Sequence, residues 1–250
     1  MFPAMKARLL AAALLVWAAL SALAPGHAYA QTAPVRAPIV VELYTSQGCW
    51  HCARANRFLG TLSREDDILA LTFSVDYWDY LGWADTFAEP EYAQRQRAYA
   101  DALRGRRSTP QLVIAGQRQV SATDWDVARA TLDQVRATAR AAGAPSVSIQ
   151  RLRNSSIRAV VGAGTSAGEA DVWFIAFEPG PVAVNVLAGE NDRRTLWHYN
   201  LVRRITRVGG WSGASAYYEQ PRCTPECVVI VQAPNGGPIL GAASTRRARR

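Results

Sequence analysis

The feature that most constrains this chain is a pair of cysteines separated by two residues, in the segment Cys49-Trp50-His51-Cys52. The motif follows an apolar, β-favouring run at 39–44 and a short turn at 45–48, and a segment with helical hydrophobic spacing continues from it to about Leu62. Backbone N–H groups at a helix N-terminus stabilise negative charge, so a thiol placed there ionises more readily. The arrangement therefore predicts thiol–disulfide chemistry, with Cys49 as the attacking thiolate and Cys52 as the resolving thiol.

The first thirty residues have the composition of a secretory signal peptide. Lys6 and Arg8 give a basic start, residues 9–23 are continuously apolar, and Ala28-Tyr29-Ala30 is a small-residue cleavage site. We expect cleavage after Ala30, and an uncleaved N-terminal anchor is the alternative. Either way the domain is expected in the periplasm or outside the cell, where disulfides persist. No later apolar run is long enough to predict another transmembrane segment.

The basic character of the chain comes almost entirely from arginine. The formal net charge is +8, and Lys6 is the only lysine. Arginine suits phosphate recognition, but these arginines are scattered along the sequence, so we expect no nucleic-acid partner. The one cluster is the tail at 245–250, which we interpret as a solvated end or, alternatively, as a weak attachment to an anionic membrane surface.

The order of predicted elements divides the mature chain into two regions. From 39 to 143 the pattern is β-α-β-α-β-β-α, which matches the thioredoxin fold. After Pro145, short β-favouring runs alternate with Gly, Pro and Asn, as is typical of antiparallel sheet. We therefore predict an α/β protein with a signal peptide at 1–30, a thioredoxin-like domain at 31–145 and an antiparallel β-rich region at 146–250 packed on it.

The dipeptide Thr109-Pro110 stands before the third predicted strand. A cis-proline beside the cysteine pair marks the thioredoxin fold, whereas only about 5% of X-Pro bonds in folded proteins are cis. The fold assignment therefore predicts a cis bond at Pro110. In that arrangement the backbone of Thr109 faces the disulfide and pairs with an extended substrate, and metal binding between the cysteines is blocked.

Three residues close to the cysteines are candidates for tuning their redox potential. A protonated His51 would favour the Cys49 thiolate and make the disulfide a stronger oxidant; the alternative is an exposed histidine without a role. Trp50 would limit access to the sulfurs or contact the substrate. Glu42, in the strand before the motif, is either a buried acid that relays protons to Cys52 or a residue that points to solvent at the sheet edge.

A cluster of large aromatic residues follows the second predicted strand. Its members are Tyr77, Trp78, Tyr80 and Trp83. One interpretation is a binding surface for extended or unfolded peptide. The other is that at least two of the rings belong to the core between the two regions.

The second cysteine pair, Cys223 and Cys227, lies near the C-terminus. We predict that it forms a small structural disulfide, and the alternative is a second redox pair that passes electrons to the first. A further alternative places His198 with Cys49 and Cys52 as ligands of Cu(I) or zinc. The two cysteine pairs do not have matching zinc-knuckle spacing, and we predict no metal site.

Several segments together resemble one secreted family, known as domain of unknown function 1223. The segments are 41–49, 75–83, 95–99 and 109–111 in the first half, and 189–191 and 231–232 in the second. The resemblance implies a thioredoxin-like first half with an added β region, and it implies no established substrate. The usual family motif is Cys-Ser-Ser-Cys-Pro-Pro, so this chain departs from it at Trp50, His51, Ala53 and Arg54. Here His51 is similar to the histidine of the Cys-x-His-Cys motif in disulfide-forming oxidases.

These observations favour an exported thiol–disulfide oxidoreductase. Such a protein needs no organic cofactor, and we expect it to act on protein or peptide thiols and disulfides together with a redox partner protein. Two alternatives remain open. One is a non-enzymatic binding module in which the first disulfide is structural, and the other is a copper-handling protein.

Overall fold

The computed structural model of the protein describes residues 37–138, 143–153, 156–165 and 168–246. All of them belong to the unit that spans Arg36–Arg250. The predicted signal peptide at 1–30 and most of the arginine-rich tail lie outside the described residues. Within the described ranges, no helix is long and apolar enough to cross a membrane.

The first half alternates strands and helices in the predicted order. Its elements are β1 (Ile39–Thr45), α1 (Cys52–Leu62), β2 (Ile68–Ser74), α2 (Pro90–Ala102), β3 (Gln111–Ile114), β4 (Arg118–Ser121) and α3 (Trp125–Thr138). β1 pairs in parallel with β2 and antiparallel with β3, and β3 pairs antiparallel with β4. Helix α1 begins three residues later than predicted, because residues 49–51 form a turn before it.

The second half is rich in β-strands, as predicted. Its strands are β5 (Val147–Arg151), β6 (Ile157–Val161), β7 (Ala170–Glu178), β8 (Val182–Asn185), β9 (Thr195–His198), β10 (Leu201–Trp211), β11 (Ala216–Gln220), β12 (Glu226–Gln232) and β13 (Ile239–Ser244). The sequence did not predict β11. It also did not predict the break between β9 and β10, where Asn200 takes a positive φ of 47°.

Strands from both halves form one eight-stranded sheet, in the order β13-β12-β7-β10-β2-β1-β3-β4. The halves meet where β10 pairs in parallel with β2, with Leu201 opposite Thr72. Two hydrogen bonds reinforce this junction: the Thr72 amide donates to the Asn200 carbonyl at 3.0 Å, and the Asn200 side chain donates to the Ala70 carbonyl at 2.8 Å. The chain is therefore a mixed α/β protein built around one large sheet.

The two faces of the large sheet are covered by different elements. Because side chains alternate along a strand, Val41 and Leu43 of β1 pack against α1 and α3, while Val40 and Tyr44 pack on the opposite face with α2. A third core lies between the large sheet and the three-stranded sheet β11-β6-β5. β1 is buried along its whole length, so the turn that follows it projects from a rigid support.

Candidate functional site

The first cysteine pair forms a disulfide between the end of β1 and the start of α1, as predicted. The Cα atoms of Cys49 and Cys52 are 5.4 Å apart, within the usual range for a disulfide. The Cys49 amide donates to the Ser46 carbonyl, and the Cys52 amide donates to the Cys49 carbonyl at 3.1 Å. Both cysteines are buried, with exposed fractions of 2% and 0%.

The two residues between the cysteines face solvent. Trp50 is 55% exposed, and the Arg194 guanidinium stacks on its ring, 4.4 Å from the ring centroid. His51 is exposed and is the N-cap residue of α1, although its side chain makes no capping hydrogen bond. The outer surface of the motif is thus an indole and an imidazole, and the sulfurs lie beneath it.

A short turn from the second half of the chain, Gly189–Asn191, contacts the motif. The side-chain amide of Asn191 donates to the carbonyls of Gln47 and Cys49, at 2.8 and 3.0 Å. The Trp50 amide donates to a Glu190 carboxylate oxygen at 3.2 Å. Sequence reasoning used 189–191 only as part of a family resemblance. Nothing local in the sequence assigns these residues to the cysteine turn.

A buried polar cluster fixes the turn before Cys49. The Asp85 carboxylate accepts hydrogen bonds from the amides of Gln47 and Phe87, at 2.7 and 2.9 Å. Burial raises the pKa of Asp85 from 3.8 to about 6. The Trp83 indole N–H donates to the Gln47 side chain at 2.7 Å. Asp85 was not predicted from the sequence, in which the one indication of a role was its position just after the aromatic segment.

The four predicted aromatic residues do not form one exposed surface. Tyr77 and Trp78 pack against the core beneath α2, and the Trp78 indole donates to the Thr109 hydroxyl at 2.7 Å. Trp83 packs against a small cluster that includes Ala53. Tyr80 is exposed, at 79%. The core interpretation therefore describes Tyr77, Trp78 and Trp83 better than the binding-surface interpretation does.

The Thr109–Pro110 peptide bond is cis, as the fold assignment predicted. The antiparallel register of β1 and β3 pairs Tyr44 with Gln111. Continuing that register places Pro110 and Thr109 beside the residues that follow Tyr44, at the C-terminal end of β1, where the cysteine turn begins. The predicted substrate-facing backbone thus lies at the same end of β1 as the disulfide.

Glu42 is a buried acid, as one of its two interpretations held, but its carboxylate is bound by other side chains and not directed at Cys52. It is fully buried, so the solvent-facing interpretation is wrong. Its carboxylate is bound by the Arg95 guanidinium at 2.7 and 2.9 Å and accepts the hydroxyls of Tyr44 and Tyr99, both at 2.8 Å. Its strand neighbours Val41 and Leu43 face α1, so Glu42 points to the opposite face of the sheet. This geometry does not support a proton relay to Cys52, because the carboxylate is already bound on the α2 side.

The family follows from comparison with known proteins. A family model described as protein of unknown function, DUF1223, matches residues 40–232. The chain belongs to the DUF1223 family. No curated protein matches this DUF1223 chain.

Two solved structures are similar to this DUF1223 protein. One is an X-ray crystal structure of a protein from Agrobacterium tumefaciens. It is 29% identical, covers 86% of this chain and 97% of its own, and has a TM-score of 0.70. The other is HBP35 of Porphyromonas gingivalis, at 10% identity and a TM-score of 0.60, covering 86% of this chain and 76% of its own. The second similarity concerns the fold alone.

The second cysteine pair of this DUF1223 protein is also disulfide-bonded, with Cα atoms of Cys223 and Cys227 5.6 Å apart. Both residues are 1% exposed. They belong to the core between the large sheet and the three-stranded sheet, whereas α1 packs in a separate core with β1 and α3. This placement suits the predicted structural role.

His198, the residue of the metal-binding alternative, is fully buried and meets the Phe87 ring edge-on at 5.4 Å. Neither ring nitrogen has a hydrogen-bond partner among the described residues. Burial lowers the pKa of His198 from 6.5 to about 4, so the ring is neutral at physiological pH. Across the part of the chain that the structure describes, no three His, Cys, Asp or Glu side chains are grouped as metal ligands. The copper alternative therefore gains no support from the arrangement of these residues.

Proposed function

We propose that this DUF1223 protein is an exported, thioredoxin-like thiol–disulfide oxidoreductase. The observation that carries the proposal is the position of the Cys49–Cys52 disulfide, between the end of the buried strand β1 and the first residue of α1. The element order and the pairing of β1 with β2 and β3 support a thioredoxin-like topology. Two disulfides suit an oxidising compartment, and residues 1–30 supply the export signal.

In the oxidising direction, a substrate thiolate attacks the sulfur of Cys49. The bond between the cysteine sulfurs breaks, and its electron pair leaves on Cys52, where the positive end of the α1 dipole stabilises the thiolate. A second substrate thiolate then attacks the substrate sulfur of the mixed disulfide and displaces Cys49. The substrate loses two electrons and becomes a disulfide, and the protein becomes a dithiol. The reverse steps reduce a substrate disulfide.

The burial of both sulfurs favours a second candidate, a binding module in which this disulfide is structural. Cys49 is only 2% exposed, so a nucleophile reaches it only when the surrounding turn moves. The contacts that the second half of the chain makes to the motif come from Glu190 and Asn191. An oxidoreductase requires those hydrogen bonds to break during turnover, whereas a structural disulfide requires them to persist.

The reduction potential of the Cys49–Cys52 pair separates the two candidates. The mature protein is equilibrated in glutathione and dithiothreitol buffers, and free thiols are counted by mass spectrometry with the Cys223–Cys227 pair tracked separately. A potential between about −120 and −270 mV supports the oxidoreductase, with the upper end expected for an oxidant. A potential below about −300 mV supports the structural disulfide and rejects the proposed function.

A further inference from the structure

An open groove of about 220 Å³ lies beside the Cys49-to-Cys52 motif. Its lining residues are Trp50, His51, Ala53, Arg54, Arg57, Thr123 and Arg194. The lining thus contains three guanidinium groups, and no carboxylate appears among the described residues that form it. Arg54 and Arg57 are three residues apart on α1, so their side chains project from one face of the helix.

The three arginines of the groove differ from the ion-paired arginines of the protein. Elsewhere, arginines such as Arg129 and Arg203 are ion-paired with carboxylates. Arg54, Arg57 and Arg194 form none of the ion pairs found within the described residues. Arg54 instead stacks on the Trp125 ring at 4.8 Å. A stacked guanidinium uses its face and leaves N–H groups along its edge to bind a carboxylate.

The position of Arg194 is fixed from two sides. It stacks on Trp50 and donates to the side-chain oxygen of Asn191 at 2.7 Å, and the same Asn191 side chain binds the Cys49 carbonyl. One positive charge is therefore tied directly to the cysteine turn. The acid that contacts the motif, Glu190, binds the Trp50 amide and is not among the groove-lining residues.

Two further features add to the positive potential and shape of the groove. The first turn of α1 carries no acidic residue, so the helix dipole is not neutralised by a side chain of that turn. The exposed Trp50 ring provides an apolar wall next to the charges. A ligand that fits this surface has carboxylates and a chain that can lie against an indole.

We propose that the groove selects substrates in which the reacting cysteine is flanked by Asp or Glu, that is, acidic peptide thiols or disulfides. The assignment rests on the proposed oxidoreductase function and names its substrate class. A carboxylate next to the substrate cysteine lies against Arg54, Arg57 or Arg194 while the substrate sulfur approaches Cys49. The chemical step is the two-electron exchange described above.

The test compares three dithiol peptides of equal length, whose residues flanking the cysteines are acidic, neutral or basic. Oxidised protein is mixed with each peptide, and the rate constant for peptide oxidation is measured by acid quench and mass spectrometry. Because flanking charge alters the reactivity of the peptide thiol itself, each rate is divided by the rate of the same peptide with the neutral reagent bis(2-hydroxyethyl) disulfide. The variants are Arg57→Gln, Arg54→Gln/Arg57→Gln and Arg194→Gln. The matched control is Arg64→Gln, which removes the same charge just beyond the other end of α1.

We expect the acidic peptide to react fastest, by about two- to fivefold for each arginine that it contacts. The preference should fall in the groove variants, persist in Arg64→Gln and weaken as ionic strength rises. Equal normalised rates for the three peptides, or an equal loss in Arg64→Gln, would overturn the substrate class and leave the oxidoreductase in place. No reaction with any peptide would reject the oxidoreductase itself, and the substrate class with it.

Discussion

The Arg95 guanidinium and the Glu42 carboxylate form a bidentate ion pair inside the protein. The nitrogen–oxygen distances are 2.7 and 2.9 Å, and the two side chains are 8% and 1% exposed. Arg95 also donates to the Gln232 side chain at 3.0 Å. The pair therefore joins β1, α2 and β12, which come from both halves of the sequence.

Removing one partner of this pair should be strongly destabilising. In an Arg95→Met variant the Glu42 carboxylate stays buried without its counter-ion, and we expect the free energy of unfolding to fall by about 3–5 kcal/mol. Urea denaturation followed by circular dichroism measures the change. The control is Arg129→Met, which breaks the half-exposed pair with Glu65 and should cost at most about 1 kcal/mol. Similar losses in the two variants would contradict the structural role of the buried pair.

The two cysteines of the motif should behave differently when replaced. We expect Cys49→Ser to abolish thiol–disulfide exchange, because it removes the attacked sulfur, and Cys52→Ser to accumulate mixed disulfides, because it removes the resolving thiol. Non-reducing gels and mass spectrometry detect the trapped species. The control is the double variant Cys223→Ser/Cys227→Ser, which should keep exchange activity while losing about 2 kcal/mol of stability. Undiminished turnover by the Cys49 variant would refute the assigned roles.

The Asn191 side chain should control how quickly the disulfide is reduced. An Asn191→Ala variant loses both hydrogen bonds to the cysteine turn, so the turn opens more often. We expect dithiothreitol to reduce the Cys49–Cys52 bond at least about fivefold faster, since each lost bond contributes about 1 kcal/mol. Asn185→Ala, which removes an exposed side chain bonded to Thr195, should leave the reduction rate unchanged. An unaltered rate in the Asn191 variant would mean that the turn does not limit access.

Burial of His198 should make the protein less stable in mild acid. Its pKa is lowered from 6.5 to about 4, so the unfolded chain takes up this proton at a higher pH than the folded chain does. The neutral, buried His198 makes its full contribution to the free energy of unfolding above pH 6.5. That contribution is lost as the pH falls toward 4, by about 3 kcal/mol in total. In a His198→Leu variant, the free energy of unfolding measured in urea should depend less on pH over this interval. A pH dependence identical to that of the unmodified protein would contradict this assignment.

Protonation of Asp85 should stabilise the folded protein over nearly the same pH interval, which is opposite to the effect of His198. Because burial raises its pKa from 3.8 to about 6, the folded state binds this proton more readily, and stability rises as the pH falls from 6 toward 3.8. The two effects partly cancel in the unmodified protein. An Asp85→Asn variant should therefore lose stability more steeply than the unmodified protein between pH 6 and pH 4. If the Asn variant gives a shallower profile, Asp85 is not protonated in the folded state as described.

Much of the first half could be predicted because its signals are local. The apolar run before Cys49, the helical spacing after it and the position of Pro110 each depend on residues within one or two turns of chain. The pairing of Cys49 with Cys52, and of Cys223 with Cys227, follows from spacings of three and four residues. These features were predicted correctly, with a shift of three residues at the start of α1.

The parts that sequence reasoning missed depend on contacts between distant residues. Glu42 is 53 residues from Arg95. Its position in an apolar strand indicated either burial or exposure to solvent, but the sequence does not show which residue is its counter-ion. Asn191 is 142 residues from Cys49, and a polar residue in a loop carries no signal of the turn it will bind. Strand β11 consists of Ala, two adjacent Tyr, Glu and Gln, which show no clear alternation of apolar and polar residues, and its pairing with β6 defines it.

The sequence alone determined the Cys-x-x-Cys motif, the pairing of its two cysteines, the α/β class and the family. The tertiary structure decided that β10 joins β2, that Asn191 and Arg194 lie against the cysteine turn, and that Glu42 forms a buried ion pair with Arg95. The reason is physical. Hydrophobic period and turn chemistry are properties of neighbouring residues, whereas the order of strands in a sheet depends on which arrangement buries the most apolar surface while pairing most of the buried polar groups.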